Sequence, residues 1–582
     1  MASAQLSIPD YVVIGGYFVI VLWIGFYFRS RVDAAKDYFA GGHQVPWWLA
    51  GISHYMSSFS AFSFIAYAQM GYMYGWVSVT LFWATIPGCL AGALFFARRW
   101  RRARVITPVE FLEGRFNSVV RQLFAWSGIP MKVLDDALKI FATGLFVSTS
   151  TGLNLQWSIA ACGLVMVAYT FLGGLWALVV TDYVQFLMKS LAILLLLPLA
   201  IAAAGGVERA FTGLPAGFFA PTGGPYGVTY IAGFVVLMMI SYNASWSLAQ
   251  KYYSVRDERE AAKTAYCAAA LNLVGAPLMI LPALIGRHLL PDLIAGQRTA
   301  DTYMLLVITL LPAGMIGIIV AAMFSATMAV MSADFNAIAS VLTKDVYHRL
   351  FRPDASDTQL LRIGRWTTLV LGLVTTCLGL WIAALGQQAL FNTMVTLLGL
   401  FMAPTFLPLL AGLASRRLTA RGALLGFCCG LVTGFTMLAL KTWWLPLRPD
   451  GASLSTVYAF EGVSLLANAA ATLLGLVIGT ALGRRDEAES RRATEFFASL
   501  DRPIAPHEVP SATTNAATPI LGLSTIGVGL LLALAGLLAD STSALVSDLT
   551  IGGFLIVTGA ILRHRGNRAA ATASAETAVA TR

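Results

Sequence analysis

Apolar runs of about 18 to 25 residues recur along nearly the whole sequence, each long enough to cross roughly 30 Å of hydrocarbon as a helix. No other feature restricts the fold as strongly, because a segment in lipid must satisfy its backbone hydrogen bonds internally. About fifteen such runs can be distinguished. Composition agrees, since 58% hydrophobic and 12% charged residues exclude the several soluble domains that 582 residues would otherwise suggest. The reading is an all-α polytopic membrane protein with about fifteen transmembrane helices.

The formal charge of +10 would suggest nucleic-acid binding in a soluble chain. Here the basic residues sit in short clusters between spans, where they set topology, so no nucleic-acid partner is expected. Arg98-Arg99-Trp100-Arg101-Arg102-Ala103-Arg104 is the strongest inside marker, and most of the 39 Lys and Arg residues fall on the same side. The first run, 11–28, has Asp10 before it and Arg29, Arg31 and Lys36 after it. Those flanks are reversed for a secretory signal, so it reads as a span with its N-terminus outside and the chain's C-terminus in the cytoplasm. A plasma membrane is the expected location. The six cysteines fall inside spans with no CxxC or metal spacing, which predicts buried, reduced thiols.

Two spans are interrupted by polar residues. Within 46–76, Ser53, Ser57, Ser58, Ser60 and Ser63 stand where a lipid-facing helix would carry Leu or Val. That pattern fits a packed interior helix, or a helix opening mid-membrane to hold a ligand or ion on its free backbone groups and hydroxyls. The seventh span, about 229–249, carries Ser241-Tyr242-Asn243-Ala244-Ser245-Trp246-Ser247. The fourth, about 119–149, holds Asp135, Asp136 and Lys139 in apolar surroundings. Asp135 and Lys139 are one turn apart and can neutralise each other, while Asp136 lacks an evident local partner. The ninth, about 312–347, has a face of small and hydroxyl residues that permits close packing.

Spans two to six start inside and spans seven to eleven start outside, each set opening with an interrupted helix. That is the layout of a 5+5 inverted-repeat core with a solute site at the repeat interface. The expected units are an extra span and connection at 1–45, a first repeat at 46–204, a second at 229–415 and accessory spans at 416–483. A cytoplasmic linker at 484–518, accessory spans at 519–568 and a disordered tail at 569–582 complete the chain.

Several motifs in this order resemble the sodium/solute symporter family, which includes bacterial sugar, proline and sialic acid symporters and the animal sodium-glucose cotransporters. They are Tyr38-Phe39-Ala40-Gly41-Gly42, Thr107 to Phe116 (TPVEFLEGRF), Tyr169 to Ala177 with Thr181, Asp182 and Gln185, Gln250-Lys251, and Asp345-Val346-Tyr347. The resemblance runs over about 11–440 and implies a ten-helix inverted-repeat transporter that couples solute uptake to Na+ by alternating access, with no cofactor. It places the cation against carbonyls of Met56, Phe59 and Ala326 and against two hydroxyl positions that here are Ala329 and Val330. Because sodium wants about five or six oxygens, those two residues break the pattern. Asp182 and Asp334 are added as cation-binding candidates, through which a proton could couple instead of sodium. The solute-contacting positions fall on Ser58, Ser63, Tyr242 and Val395, with Ser57, Ser60, Gln69, Asn243 and Trp246 as further candidates. The partners are therefore a small polar solute, such as a sugar, sugar acid, amino acid or carboxylate, and the lipid bilayer. A solute sensor is the competing class, but it would need a soluble output domain after Arg484. An enzyme lacks motif support, and the six histidines are scattered.

Overall fold

The computed structural model describes residues 7–29, 35–58, 60–293, 299–311, 315–384, 390–448, 453–483, 487–509, 518–538 and 542–580. The described chain is helical, with only isolated bridges such as Val45 to Val255 in place of strands. In order the helices are α1 (Ile8–Arg29), α2 (Trp47–Met56), α3 (Ala61–Tyr74), α4 (Val77–Arg102), α5 (Ser118–Thr151), α6 (Leu155–Ala203), α7 (Val228–Ala244), α8 (Trp246–Tyr253) and α9 (Glu258–Leu289). They continue as α10 (Met315–Phe351), α11 (Asp357–Ala384), α12 (Leu390–Ala414), α13 (Ala420–Leu447), α14 (Leu454–Leu482), α15 (Glu487–Asp501), α16 (Thr518–Leu537) and α17 (Thr542–Ala580).

Eleven helices among the described residues are long and apolar enough to span on their own, and the bent pair α7 and α8 makes a twelfth. The α2/α3 segment is broken, α5 carries charges, and the first part of α6 is short. Those three features keep them from passing a test of length and apolarity, so about fifteen crossings is compatible with the fold.

Helix α10 is the centre of the molecule, with 94% of its most apolar window buried. The outer helices turn Trp23, Leu94, Phe95, Trp157, Trp366 and Phe554 outward, an apolar surface suited to lipid. Cys89 and Cys162 are buried, but Cys377 and Cys428 lie on outward faces, so the expectation of six buried thiols holds only in part. None is disulfide-bonded.

Local chemistry explains the boundaries. Asn117 caps α5 by accepting from Val120 N–H at 2.9 Å, and Asp257 caps α9 by accepting from the Arg259 and Glu260 N–H groups at 2.8 Å. Helix α6 folds back at Gly174, whose φ 59° and ψ −165° are open essentially to glycine alone, and this turns the fifth span into the sixth. The accessory pairs meet through small residues: a Cβ at Gly475 would stand 2.8 Å from the Gly426 Cα, and one at Gly479 equally close to Gly422.

Within the Thr107 to Phe116 motif a short helix runs from Phe111 to Arg115, with Phe111, Leu112 and Arg115 buried and Phe111 against Phe496 of α15. Helix α17 runs to Ala580, and the alanine-rich sequence of its last part favours that state.

Candidate functional site

The broken second span is held open by named bonds. Helix α2 stops at Met56, with Ser57 N–H donating to the Ser53 carbonyl at 2.8 Å. Helix α3 begins after Ser60, whose extended backbone forms a reciprocal cap with Ser63. The Ala61 N–H at the start of α3 donates to Thr327 Oγ1 of α10 at 2.9 Å, and Thr143 of α5 donates to the same oxygen at 2.9 Å. The second break falls at Ser245 (φ −56°, ψ 131°), where α7 and α8 meet at 49°.

Between the two breaks lies a cavity of about 120 Å³. Ser57, Ser58, Ser60, Ser63, Tyr242 and Val395, all expected to contact solute, line it. The other three expected residues do not. Gln69 donates to Thr299 Oγ1 at 2.9 Å away from the cavity, and the Asn243 amide donates to the Gly88 and Met239 carbonyls at 2.9 and 2.8 Å. Trp246 is fully buried where the 49° turn carries it against Gly128, so the predicted aromatic wall is a packing residue.

One side of the cavity is charged. Lys132, Asp135 and Lys139 of α5 and Asp334 of α10 line it. Lys139 Nζ lies 2.8 Å from Asp135, 3.1 Å from Asp136 and 3.3 Å from Asp334, while Lys132 Nζ lies 2.8 Å from Asp334 and 3.5 Å from Asp135. Asp136 therefore has a local partner three residues on, contrary to the expectation, and the Asp135–Lys139 pair is one edge of a network that reaches a second helix. Sequence reasoning missed Lys132, although a lysine three residues before Asp135 in an apolar span is a legible signal.

The family cation position fits poorly. Met56 closes α2, Ala326, Ala329 and Val330 are buried on α10, and Phe59 lies outside the described residues. Ala329 and Val330 offer no side-chain oxygen. The neighbouring hydroxyls are turned back on their own helix, Ser325 donating to the Ala322 carbonyl at 2.8 Å and Ser332 to the Ala329 carbonyl at 3.2 Å. Two carbonyls among the described residues fall short of the oxygens sodium needs. Asp182 is fully buried and accepts a hydrogen bond from Ser53 of α2, and Lys251 of α8 lies within electrostatic reach of both Asp182 and Asp334.

The scattered sequence motifs converge on one side of the core. Gln250 Nε2 donates to the Phe39 carbonyl at 2.6 Å and to Asn336 at 2.8 Å, and the Val45 N–H donates to the Ser254 carbonyl at 3.1 Å. Gly41 and Gly42 both adopt positive φ (57° and 62°), which explains the paired glycines before the second span. Arg121 Nε binds Asp345 at 2.7 Å and also pairs with Glu113 at 2.6 Å, while Arg349 reaches Glu113 at 2.5 Å.

Chiefly the hydrogen bond from Arg349, with Arg121 added and partial burial opposing, holds the Glu113 carboxyl below its usual range. A depressed carboxyl contributes stability that is full above the unfolded value of about 4.3 and fades as pH falls through the lower folded value. Since half of the Arg349 side chain is exposed, the contribution is no more than about 1 kcal/mol. Glu113→Gln should accordingly flatten the acid-side fall of Tm between about pH 5 and pH 3; superimposable curves for the two proteins would contradict it.

A family model described as the sodium:solute symporter family matches residues 38–430. The sodium/sialic acid symporter SiaT of Proteus mirabilis is 25% identical over 439 residues, covering 73% of this chain and 88% of its own length. The sodium/glucose cotransporter of Vibrio parahaemolyticus is 25% identical, covering 72% and 83%, and the sodium/myo-inositol cotransporter 2 of Rattus norvegicus is 27% identical, covering 76% and 71%. A solved structure of the substrate-bound outward-open state of a Na+-coupled sialic acid symporter superposes with a TM-score of 0.72 at 24% identity, over 82% of this chain and 98% of that one. At that identity the likeness speaks for the fold.

Proposed function

We propose, from the premise that this chain belongs to the sodium:solute symporter family, that it carries a small polar organic solute across a membrane together with sodium by alternating access. It is a multi-pass transporter and not an enzyme. The observation that carries the reading is the cavity between the two helix breaks, where Ser57, Ser58, Ser60, Ser63 and Tyr242 offer hydroxyls to a solute. The serines sit on the first repeat, 46–204, and Tyr242 on the second, 229–415, so rocking one repeat against the other would expose the solute to either side. The sugar, cyclitol and sugar-acid names of the relatives support a hydroxyl-rich solute. The basic run Arg98 to Arg104 supports an N-terminus outside, a C-terminus in the cytoplasm and residence in the plasma membrane.

The test is the thermal stability of the purified chain in sodium chloride against choline chloride, crossed with sugars, cyclitols, sugar acids, amino acids and carboxylates. A ligand at a hundred times its Kd stabilises by about 2.7 kcal/mol, well within reach of a melting assay. A Tm rise with one solute class that is larger in sodium is expected. If no solute raises Tm in either salt, the symport reading fails.

A further inference from the structure

We propose that Asp135, Asp136 and Asp334 form a sodium site beside the solute cavity, doing the work that Ala329 and Val330 leave undone at the family position. The proposal rests on the symport reading for its role in coupling, but the site is argued from its own chemistry.

Each of the three carboxylates can place an oxygen within 4.8 Å of the other two. That spread is small enough for a single cation to lie among the three. Asp135 Oδ2, Asp136 Oδ1 and Asp334 Oδ2 receive the ammonium groups, whereas Asp135 Oδ1, Asp136 Oδ2 and Asp334 Oδ1 make no hydrogen bond. Those side chains are 9%, 0% and 1% exposed. A buried charged oxygen with no partner is costly, and a cation relieves it directly.

The charge count selects the ion. Three carboxylates face two ammonium groups, leaving a formal charge of −1, and adding the next charged neighbours, Lys251 and Asp182, leaves it unchanged. One monovalent cation closes the balance, whereas a divalent one would overshoot it. A separate observation points the same way. Ser57 Oγ, at the break of the second span, is in a residue only 4% exposed, has no hydrogen-bond partner and lines the same cavity. The Ser247 hydroxyl approaches Asp334 from α8, adding a further oxygen. The carboxylates come from α5 in the first repeat and α10 in the second, so an ion here would bind best in one relative placement of the halves. Asp135 and Asp334 also line the solute cavity, so an ion held by them would lie beside the solute.

The test is sodium binding to the full purified chain at fixed pH and ionic strength, titrated by Tm and by radioactive sodium, with choline as the balancing cation. Asp136→Asn should weaken sodium at least tenfold, and Lys132→Gln, which makes the site more negative, should tighten it. The two opposite signs keep the proposal testable if either variant fails to fold. Sodium titrations that match wild type in a folded variant would overturn it, as would a wild-type chain that responds to pH and not to sodium. A sodium response with no solute response would leave this site standing and sink the symport reading, so the two failures are distinguishable.

Discussion

Lys139→Met is expected to lower apparent stability by about 3–5 kcal/mol and to abolish transport. The side chain is 8% exposed and touches three carboxylates, so its loss leaves Asp135, Asp136 and Asp334 with only Lys132, a formal charge of −2 in place of −1. Repulsion and desolvation then act together. The double variant Lys139→Met with Asp135→Asn restores the original formal charge and should recover a large part of the lost Tm without restoring transport. Equal Tm values for the single and double variants would show that packing, and not charge, sets the cost.

Gly174→Ala should be strongly damaging. Its backbone conformation alone costs an L-residue about 1–3 kcal/mol, and the added Cβ would stand 2.7 Å from Tyr38 Cδ2 and 3.0 Å from the Tyr38 carbonyl oxygen. Tyr38 is itself fixed, since its carbonyl accepts from Asn336 at 3.3 Å, so the clash passes into α10. Low membrane yield and a Tm reduced by several degrees are expected, with Gly114→Ala, whose added methyl meets nothing within 4 Å, as the control. A Gly174→Ala protein that melts and transports like wild type would show that the turn tolerates another geometry.

How much of this was legible in the sequence depended on whether the signal was local. The serine-rich break and the polar patch at 241–247 announce themselves because each departs from what lipid allows. The charged cluster was half legible: Asp135, Asp136 and Lys139 stand out on α5, but their ties to Asp334 cross from one helix to another 195 residues away. Trp246 has the right chemistry for a solute wall, but a bend of 49° at Ser245 decides where α8 points, while Gln69 and Asn243 are drawn away by hydrogen bonds to Thr299 and to the Gly88 and Met239 carbonyls. No periodicity encodes that bend.

Helix α15 and the residues that follow it, to Val509, are fastened to the end of α4 and the start of α9. Arg104 pairs with Glu508 at 2.6 Å, Phe111 stacks on Phe496 at 5.6 Å, and Glu258 accepts from Ile504 N–H at 3.3 Å while also holding Arg102 at 3.0 Å. At the accessory spans, Glu489 accepts from Ala420 N–H at 2.6 Å. In a cycle that moves one half of the molecule against the other, a strap of this kind would act as a friction element, since its bonds would have to slide or break at each turn. None of its bonded residues lines the cavity between the helix breaks, so loosening it should change the rate of turnover and leave solute affinity fixed.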